Sequence, residues 1–473
     1  MILPESFCTE TQRVLGEERW ERFVAALDEE IVSVRRNPAR ETSGHDGGES
    51  PGGGSTGHGG WSPGGESAGH DGRGTGGGSA GNDGWGTGGR SAGHGCCGVA
   101  WCPEGRYLRE RPAFTFDPLL HAGCYYVQEA ASMFVSHVLR QWVTGPVRML
   151  DLCAAPGGKS TAAIAVLPKG SSLVSNEPIR ARAMALLENM TKWGHPRCAV
   201  TNLYPRDFVK AKARFDVVLT DVPCSGEGMF RKDPKAIAEW SPAKVEQCRR
   251  LQREIVSDAW QCLEDGGLLI YSTCTLNTRE NEENIAWIRD ELGGVVLPVD
   301  VKTEWGITGS LLTGFDEPVY RFIPGLTRSE GLFVAVVRKT DRRLEKIMTD
   351  RRTDDSFRRM EKIMTDRRTD DFFRRTDGLF RRMDEGVLKE LREVLSVDYV
   401  RGTYPEVEAD YKTAISYLRG EALRLPPEVP KGIICVTYQG HPIGVVKNIG
   451  SRANNLHPKE WRIKSTHVPE GSG

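Results

Sequence analysis

Val147-Arg148-Met149-Leu150-Asp151-Leu152-Cys153-Ala154-Ala155-Pro156-Gly157-Gly158-Lys159-Ser160 is the stretch whose reading decides the fold. Residues 147–152 form an apolar run of the length of a buried strand. A proline and two glycines follow, and a helical pattern opens at Lys159, so the segment reads as strand, ligand loop and helix. Pro156, Gly157 and Gly158 let backbone come close to a ligand, and the N–H groups opening the helix suit a carboxylate. Glu177 ends the next strand-like run, about twenty residues on, where an acidic side chain accepts from ribose hydroxyls in dinucleotide folds. The loop lacks the spacing of a phosphate cradle. An adenosine ligand without a phosphate motif fits these features, and S-adenosyl-L-methionine (AdoMet) is such a ligand.

Outward from this loop, strand-like and helical patterns alternate between residues 99 and about 338. Strands are predicted at 147–152, 173–176, 198–201, 215–220, 268–271 and 332–337, and helices from 159, at 179–193, 242–263 and 279–291. That alternation predicts an α/β, Rossmann-like domain with a mostly parallel sheet and helices on both faces.

Two cysteine motifs end strands of this sheet. Asp221-Val222-Pro223-Cys224-Ser225-Gly226 closes the strand at 215–220, and Ser272-Thr273-Cys274-Thr275 follows the strand at 268–271. Both thiols then face the sheet edge that holds the ligand loop. A pyrimidine ring carbon accepts a methyl group only once a thiolate adds to its neighbour and makes it enamine-like, and soft sulfur suits that addition. A carboxyl group near the ring nitrogen steadies the charge that develops there. The basic run Gly226-Glu227-Gly228-Met229-Phe230-Arg231-Lys232-Asp233-Pro234 reads as a flexible loop suited to phosphates beside an extruded base. Cys8, Cys198, Cys248, Cys262 and Cys435 read as ordinary buried thiols.

The 473 residues allow two or three domains, and 38% apolar with 27% charged residues is a soluble globular balance. A net charge of −1 excludes a uniformly basic nucleic-acid binder, so any such surface is local. The opening Met1-Ile2-Leu3-Pro4-Glu5 is no secretory leader, and no run reaches a membrane span. The twelve cysteines therefore read as reduced thiols of a cytoplasmic protein. His94, Cys96, Cys97 and Cys102 lack paired spacing, and no metal site is expected.

Five segments are expected. Residues 1–42 form a small N-terminal α/β segment, with Trp20, Phe23, Val24 and Leu27 as a helical stripe before a strand at 31–35. Residues 43–98 are a glycine-rich insert with a twelve-residue repeat (Ser67-Ala68-Gly69-His70, Ser79-Ala80-Gly81-Asn82, Ser91-Ala92-Gly93-His94), too apolar-poor to order itself. The catalytic domain spans 99–340. A charged linker at 341–384 repeats eleven residues, Glu345 to Asp355, identically at 361–371. Residues 385–467 form an α+β module, with a helix at 408–420 and strands at 432–438 and 443–447 about a turn at 439–442. From 431 to 467 six basic residues face one acidic residue, which suits a structured RNA.

Taken together, these residues strongly resemble the RNA (cytosine-5)-methyltransferase family, in its bacterial RsmF type. The carriers are the loop from Cys153 to Lys159, the run from Asp221 to Asp233, Ser272-Thr273-Cys274-Thr275 with Asn281-Glu282, His121-Ala122-Gly123-Cys124-Tyr125-Tyr126-Val127-Gln128-Glu129, and Asn448-Ile449-Gly450-Ser451-Arg452-Ala453-Asn454-Asn455. The resemblance covers nearly the whole chain outside 43–95 and 341–384. It implies methylation of a cytosine of small-subunit ribosomal RNA; nothing in the sequence requires a partner chain, and a monomer is expected. It implies Cys274 as nucleophile on carbon 6, Cys224 as the thiol that assists release, and Asp221 lining the cofactor and base site. It implies AdoMet binding by Cys153, Ala154, Ala155, Pro156, Gly157, Gly158, Lys159, Glu177 and Asp221. Where the family usually has an acidic cofactor residue, this chain has Tyr204, whose ring can stack on or hydrogen-bond to adenine. The same chemistry on transfer RNA, and a catalytically silent RNA-binding assembly factor, are the alternatives.

Overall fold

The computed structural model describes residues 2–40, 97–340 and 385–465. The glycine-rich insert, apart from Cys97 and Gly98, and the duplicated linker lie outside the described residues.

The chain opens with a helical hairpin, α1 (Glu5–Leu15) and α2 (Glu17–Ala26), followed by β1 (Val32–Arg36). Phe23 and Leu27 of the expected stripe are buried, whereas Val24 faces outward. Three strands from beyond the insert join β1 in an antiparallel sheet: β2 (Gly98–Val99), β3 (Cys102–Leu108) and β4 (Tyr125–Val127), in the order β2-β3-β1-β4. Residues before 42 and after 98 thus build one sheet, and the boundaries expected at these positions fall inside a single folding unit. A short helix, α3 (Pro118–His121), leads into β4, and α4 (Phe134–Trp142) leads on to the main sheet.

The main sheet is built from β5 (Arg148–Asp151), β6 (Ser172–Asn176), β7 (Cys198–Thr201), β8 (Phe215–Asp221), β9 (Leu263–Thr273), β10 (Gly294–Leu297), β11 (Tyr320–Phe322) and β12 (Leu332–Lys339). Its order is β10-β12-β9-β8-β5-β6-β7, with β11 paired to β12. Strands β5 to β9 are parallel, and β12 runs antiparallel between β9 and β10. The linking helices are α5 (Gly158–Ile164), α6 (Arg180–Trp193), α7 (Pro205–Lys210), α8 (Pro234–Glu239), α9 (Pro242–Cys262) and α10 (Glu282–Leu292).

Alternate strand residues face opposite helical layers because successive side chains on a strand point to opposite faces. Met149, Leu173, Val217 and Ile270 pack with Val138 and Leu139 of α4 and Ile164 of α5. Their neighbours Leu150, Val174, Val218 and Leu269 pack with Phe208 of α7, Val256 of α9 and Ile285 of α10. Each such fully buried side chain contributes roughly 1.5–3 kcal/mol. The chain leaves β5 towards β6 and β7, then returns to β8 on β5's other side. The crevice between β5 and β8 is therefore a topological switch point, where open α/β sheets bind ligands.

The C-terminal module contains α11 (Glu385–Val394), β13 (Glu406–Glu408), α12 (Tyr411–Leu418), β14 (Gly432–Tyr438), β15 (His441–Asn448) and β16 (Ala453–Asn455). The turn between β14 and β15 is tighter than the expected 439–442. Tyr438 pairs with His441, and Gln439 and Gly440 both take positive φ (47° and 73°), as a two-residue hairpin requires. This module docks on the catalytic domain: Ala183 and Leu187 of α6 pack with Leu391, Val394, Cys435 and Trp461. Val397 N donates to Gly194 O at 2.9 Å.

Candidate active site

Asp151, Asp221 and Thr273 end the neighbouring parallel strands β5, β8 and β9, and Asp221 sits in register with Ser272. The expected site residues therefore converge at one sheet edge. Lys159 Nζ, from the start of α5, donates to Asp221 Oδ2 at 2.8 Å, and Ser272 Oγ donates to Asp221 Oδ1 at 2.8 Å. Burial works against the Lys159 charge, yet the adjoining Asp221 carboxylate and, more weakly, Cys274 hold its pKa above the usual lysine range.

The loop after β5 is tied down through its backbone. Ala154 N donates to Asn176 O at 2.8 Å, and Asn189 Nδ2 donates to Pro156 O at 2.8 Å. Arg182 Nη2 donates to Ala155 O at 3.1 Å. Gly157 adopts φ 110°, and a Cβ there would stand 3.2 Å from Leu186. The Cys153 thiol is buried in the core beneath the loop, and burial pushes its pKa up, so this residue offers a ligand backbone only.

Among the described residues, two buried carboxylate oxygens border the loop without accepting a hydrogen bond, Asp151 Oδ1 and Glu177 Oε2. Glu177 Oε1 accepts from Ile179 N at 3.0 Å, and Arg182 Nη1 approaches Glu177 Oε2 at 3.3 Å as an ion pair. Asp151 Oδ2 accepts from Ser160 Oγ at 2.6 Å. Burial pushes the Asp151 carboxyl up to about 7, with Ser160 opposing the shift and Asp221 adding to it. Asn202 Nδ2 bridges to Glu177 O at 2.7 Å and Pro178 O at 2.9 Å, joining the loops after β6 and β7. On these loops Tyr204 (58% exposed) and Ile179 (54%) leave apolar surface open. The Arg206 guanidinium lies 5.6 Å from the Tyr204 ring centroid. Buried carboxylates, an exposed ring and close backbone fit a ligand with hydroxyls, a flat base and a cationic head.

The two cysteines meet. Cys224 Sγ lies 3.1 Å from Cys274 Sγ, and both thiols are free. The contact with Cys274, then burial, push the Cys224 pKa well above its usual value, so Cys224 stays a neutral thiol able to donate to the Cys274 sulfur.

Around the cysteines lies a polar shell that sequence reasoning did not find. Glu280, fully buried, accepts from Ser225 N at 3.1 Å, Asn277 Nδ2 at 2.8 Å and Gln252 Nε2 at 2.6 Å. Burial pushes Glu280 up to about 7, against these bonds and together with the charge of Glu227. Glu227 is buried too, and accepts from Leu276 N, Asn277 N and Trp240 Nε1 at 2.7, 2.9 and 2.9 Å. Asn281 and Glu282, quoted above only as carriers of the resemblance, belong to this shell. Glu282 pairs with Arg321 through both carboxylate oxygens, and Arg321 Nη1 donates to Leu276 O at 2.7 Å. The run of acids and amides from Asn277 to Glu283, just past Cys274, was the available signal.

The loop after Cys224 is not the free basic loop its composition predicts. Arg231 is 9% exposed at its side chain and bonds inward to Glu330 and to Glu29 O. Lys232 pairs with Glu330 at 2.9 Å. Phe230 and Trp240 pack against Phe7 of α1, at 4.9 and 5.5 Å between ring centroids, so the N-terminal hairpin braces this loop.

A family model described as 16S rRNA methyltransferase RsmB/F matches residues 144–338. Models of the RsmF PUA domain and of the RsmF N-terminal domain match residues 404–463 and 91–130. Residues 144–338 thus match the RsmB/F family, and the segments on either side match RsmF models. A Ribosomal RNA small subunit methyltransferase F from Cronobacter sakazakii is 36% identical over 248 residues, 51% of each chain. Over that match the chain spans about half the length of its curated relative. The protein of that name from Shigella dysenteriae is 29% identical over 407 residues, 76% of this chain and 84% of that one. Among solved structures, NSun6 from Pyrococcus horikoshii with SFG is similar at TM-score 0.51 and 18% identity, covering 72% of this chain and 98% of that one. A methyltransferase homolog protein from Pyrococcus horikoshii is similar at TM-score 0.50 and 21% identity, covering 71% and 100%. These likenesses establish the fold alone, a Rossmann-like α/β domain. Among the described residues no group of ligand-type side chains could hold a metal ion, and no helix is long and apolar enough to cross a membrane.

Proposed function

We propose that this chain is an AdoMet-dependent methyltransferase that places a methyl group on carbon 5 of a cytosine in small-subunit ribosomal RNA. The observation that carries the reading is the meeting of Cys224 and Cys274 at 3.1 Å beside the Lys159–Asp221 pair at the switch point. Bound AdoMet would supply an electrophilic methyl group. Glu177 would accept from its ribose hydroxyls, Tyr204 and Ile179 would offer apolar surface to its adenine, and Asp151 and Asp221 would supply negative charge for its cationic head.

Cys274 attacks as a thiolate, forming a sulfur–carbon bond at carbon 6 and turning carbon 5 into the nucleophile that takes the methyl group. Lys159 and Asp221 hold opposite charges at this edge and steady the ring as charge develops on it. Release needs two events, loss of the carbon 5 proton to a base and elimination of the Cys274 sulfur. The Cys224 sulfur, in contact with Cys274, is the group placed to assist that release. The C-terminal module, with its basic excess and its match to the RsmF PUA model, is the region suited to hold structured RNA. The curated relatives carry the name of a small-subunit ribosomal RNA enzyme, which favours that substrate over transfer RNA.

Bisulfite sequencing of ribosomal and transfer RNA from a strain lacking this gene tests the reading. Loss of one protected cytosine in 16S rRNA, restored by the gene, is the expected result. An unchanged 16S pattern with a lost transfer RNA site would move the substrate, and no change in either would reject the activity.

A further inference from the structure

Two consecutive residues, Glu280 and Asn281, reach different cysteines. Glu280 brackets Cys224 on both sides: its carboxylate takes the N–H of Ser225 directly, and through Gln252 it reaches the carbonyl of Pro223. Gln252 Nε2 donates to Glu280 Oε2 at 2.6 Å and to Pro223 O at 2.9 Å. Asn281 brackets Cys274 in the same manner. Its Oδ1 accepts from Thr273 Oγ1 at 2.6 Å, and its Nδ2 donates to Thr275 O at 3.0 Å. Asn281 thus holds both neighbours of its thiol directly, and Glu280 holds one neighbour directly and the other through Gln252.

Both clamps stand on one rigid base. Asn281 is the N-cap of α10, whose next residue, Glu282, is locked to buried Arg321. The Tyr271 hydroxyl donates to Glu280 O at 2.6 Å and fixes the backbone from the strand side. Three N–H donors converge on the Glu280 side chain, and among the described residues it makes no ion pair. Its task is therefore one that only an acceptor can perform. The groups facing it are Cys224 after β8, Glu227, Cys248 and Gln252 of α9, Tyr271 of β9, and Asn277.

Building on the methyl-transfer reading above, we infer that Glu280 and Asn281 are separate positioning residues for the two halves of the cycle, Asn281 aiming Cys274 for attack on the base and Glu280 aiming Cys224 for release of the methylated RNA. Neither touches the reacting atoms; each acts through the thiol it brackets. Small misplacement of a reacting group is costly, so each loss falls mainly on one step.

The test uses full-length protein, AdoMet and a 16S rRNA fragment, following the covalent protein–RNA adduct on denaturing gels beside free methylated RNA. Glu280→Gln turns an acceptor into a donor among donors; it is expected to form adduct at near the normal rate and to release it about tenfold more slowly. Asn281→Ala is expected to form adduct about tenfold more slowly and to accumulate none. Glu280→Asp, which keeps the carboxylate, is expected to recover some of the release rate. Labelling of the two thiols by a maleimide without RNA gives a second readout: Glu280→Gln should alter labelling of Cys224 and leave Cys274 unchanged, and Asn281→Ala the reverse.

If both variants slow the same step, or both thiols change labelling together in each variant, the division of labour is wrong. If wild-type protein forms neither adduct nor methylated RNA, the function proposed above fails. The labelling pattern then still decides whether each residue sets its own thiol.

Discussion

Cys224 and Cys274 are fifty positions apart in the chain, yet their sulfur atoms lie 3.1 Å from each other. Strand register brings them together. Asp221 of β8 pairs with Ser272 of the adjacent parallel strand β9, so the residues just past each strand emerge at the same height. Two separate loops then fold over one point, held by Glu280, Gln252 and Asn281. The arrangement leaves no room for substitution: a Cβ on Gly228 would stand 2.8 Å from Cys274 O and 2.7 Å from Gly331 O.

Cofactor affinity is expected to depend on pH through Asp151. Burial raises this carboxyl to about 7, with Ser160 and Lys159 opposing and Asp221 and Glu177 adding to the shift. A cationic ligand favours the ionised form, so AdoMet should bind more tightly as pH rises from 6 to 8. The steepest possible change is about tenfold per pH unit for one proton released. Calorimetry at several pH values checks this, and Asp151→Asn should flatten the profile.

Tyr204 is expected to stack on adenine. Its ring is exposed on the loop after β7, which Asn202 ties to the Glu177 backbone. Base–aromatic stacking contributes about 1–3 kcal/mol. Tyr204→Ala should therefore weaken AdoMet binding about tenfold, whereas Tyr204→Phe should stay near the wild type in the same titration.

Breaking the Glu282–Arg321 pair is expected to be severe. Both partners are buried, and removing one leaves the other charge uncompensated, at a cost of about 3–5 kcal/mol. Glu282→Gln should lower the denaturant midpoint markedly. The double replacement Glu282→Leu with Arg321→Met should cost less than the single change, because no charge is then stranded.

Gly194 is where the C-terminal module meets the catalytic domain. A Cβ there would stand 2.0 Å from Leu395 O, at a φ of 79° that favours glycine. Gly194→Val is expected to loosen the module and weaken RNA binding roughly tenfold, because two linked contacts with one RNA bind more tightly than either alone. AdoMet binding, measured in parallel, should not change.

Much of this was legible in the sequence because it is written locally. The strand, loop and helix around Gly157 and both strand-ending cysteines are short-range signals, and the alternation of strands and helices places them at one edge. The strand at 32–36 was legible as a strand, but not as the partner of β3 and β4, since the insert separates them. Arg231 looked like a phosphate contact because composition shows its charge; its partner Glu330 is 99 positions away. Glu280 and Gln252 were missed for the same reason. An acid and an amide on different elements become a clamp only when β8, β9 and α9 have packed. Tight contacts such as that at Gly194 depend on how two domains dock, and a single glycine after a helix does not announce its neighbour.

The central claim, that Cys274 attacks and Cys224 releases, is tested most directly by incubating Cys224→Ala and Cys274→Ala proteins with AdoMet and a 16S rRNA fragment, then looking for a denaturation-resistant protein–RNA adduct. Cys224→Ala is expected to accumulate the adduct and Cys274→Ala to form none. An adduct in Cys274→Ala that is absent from Cys224→Ala would contradict the assignment and exchange the two roles.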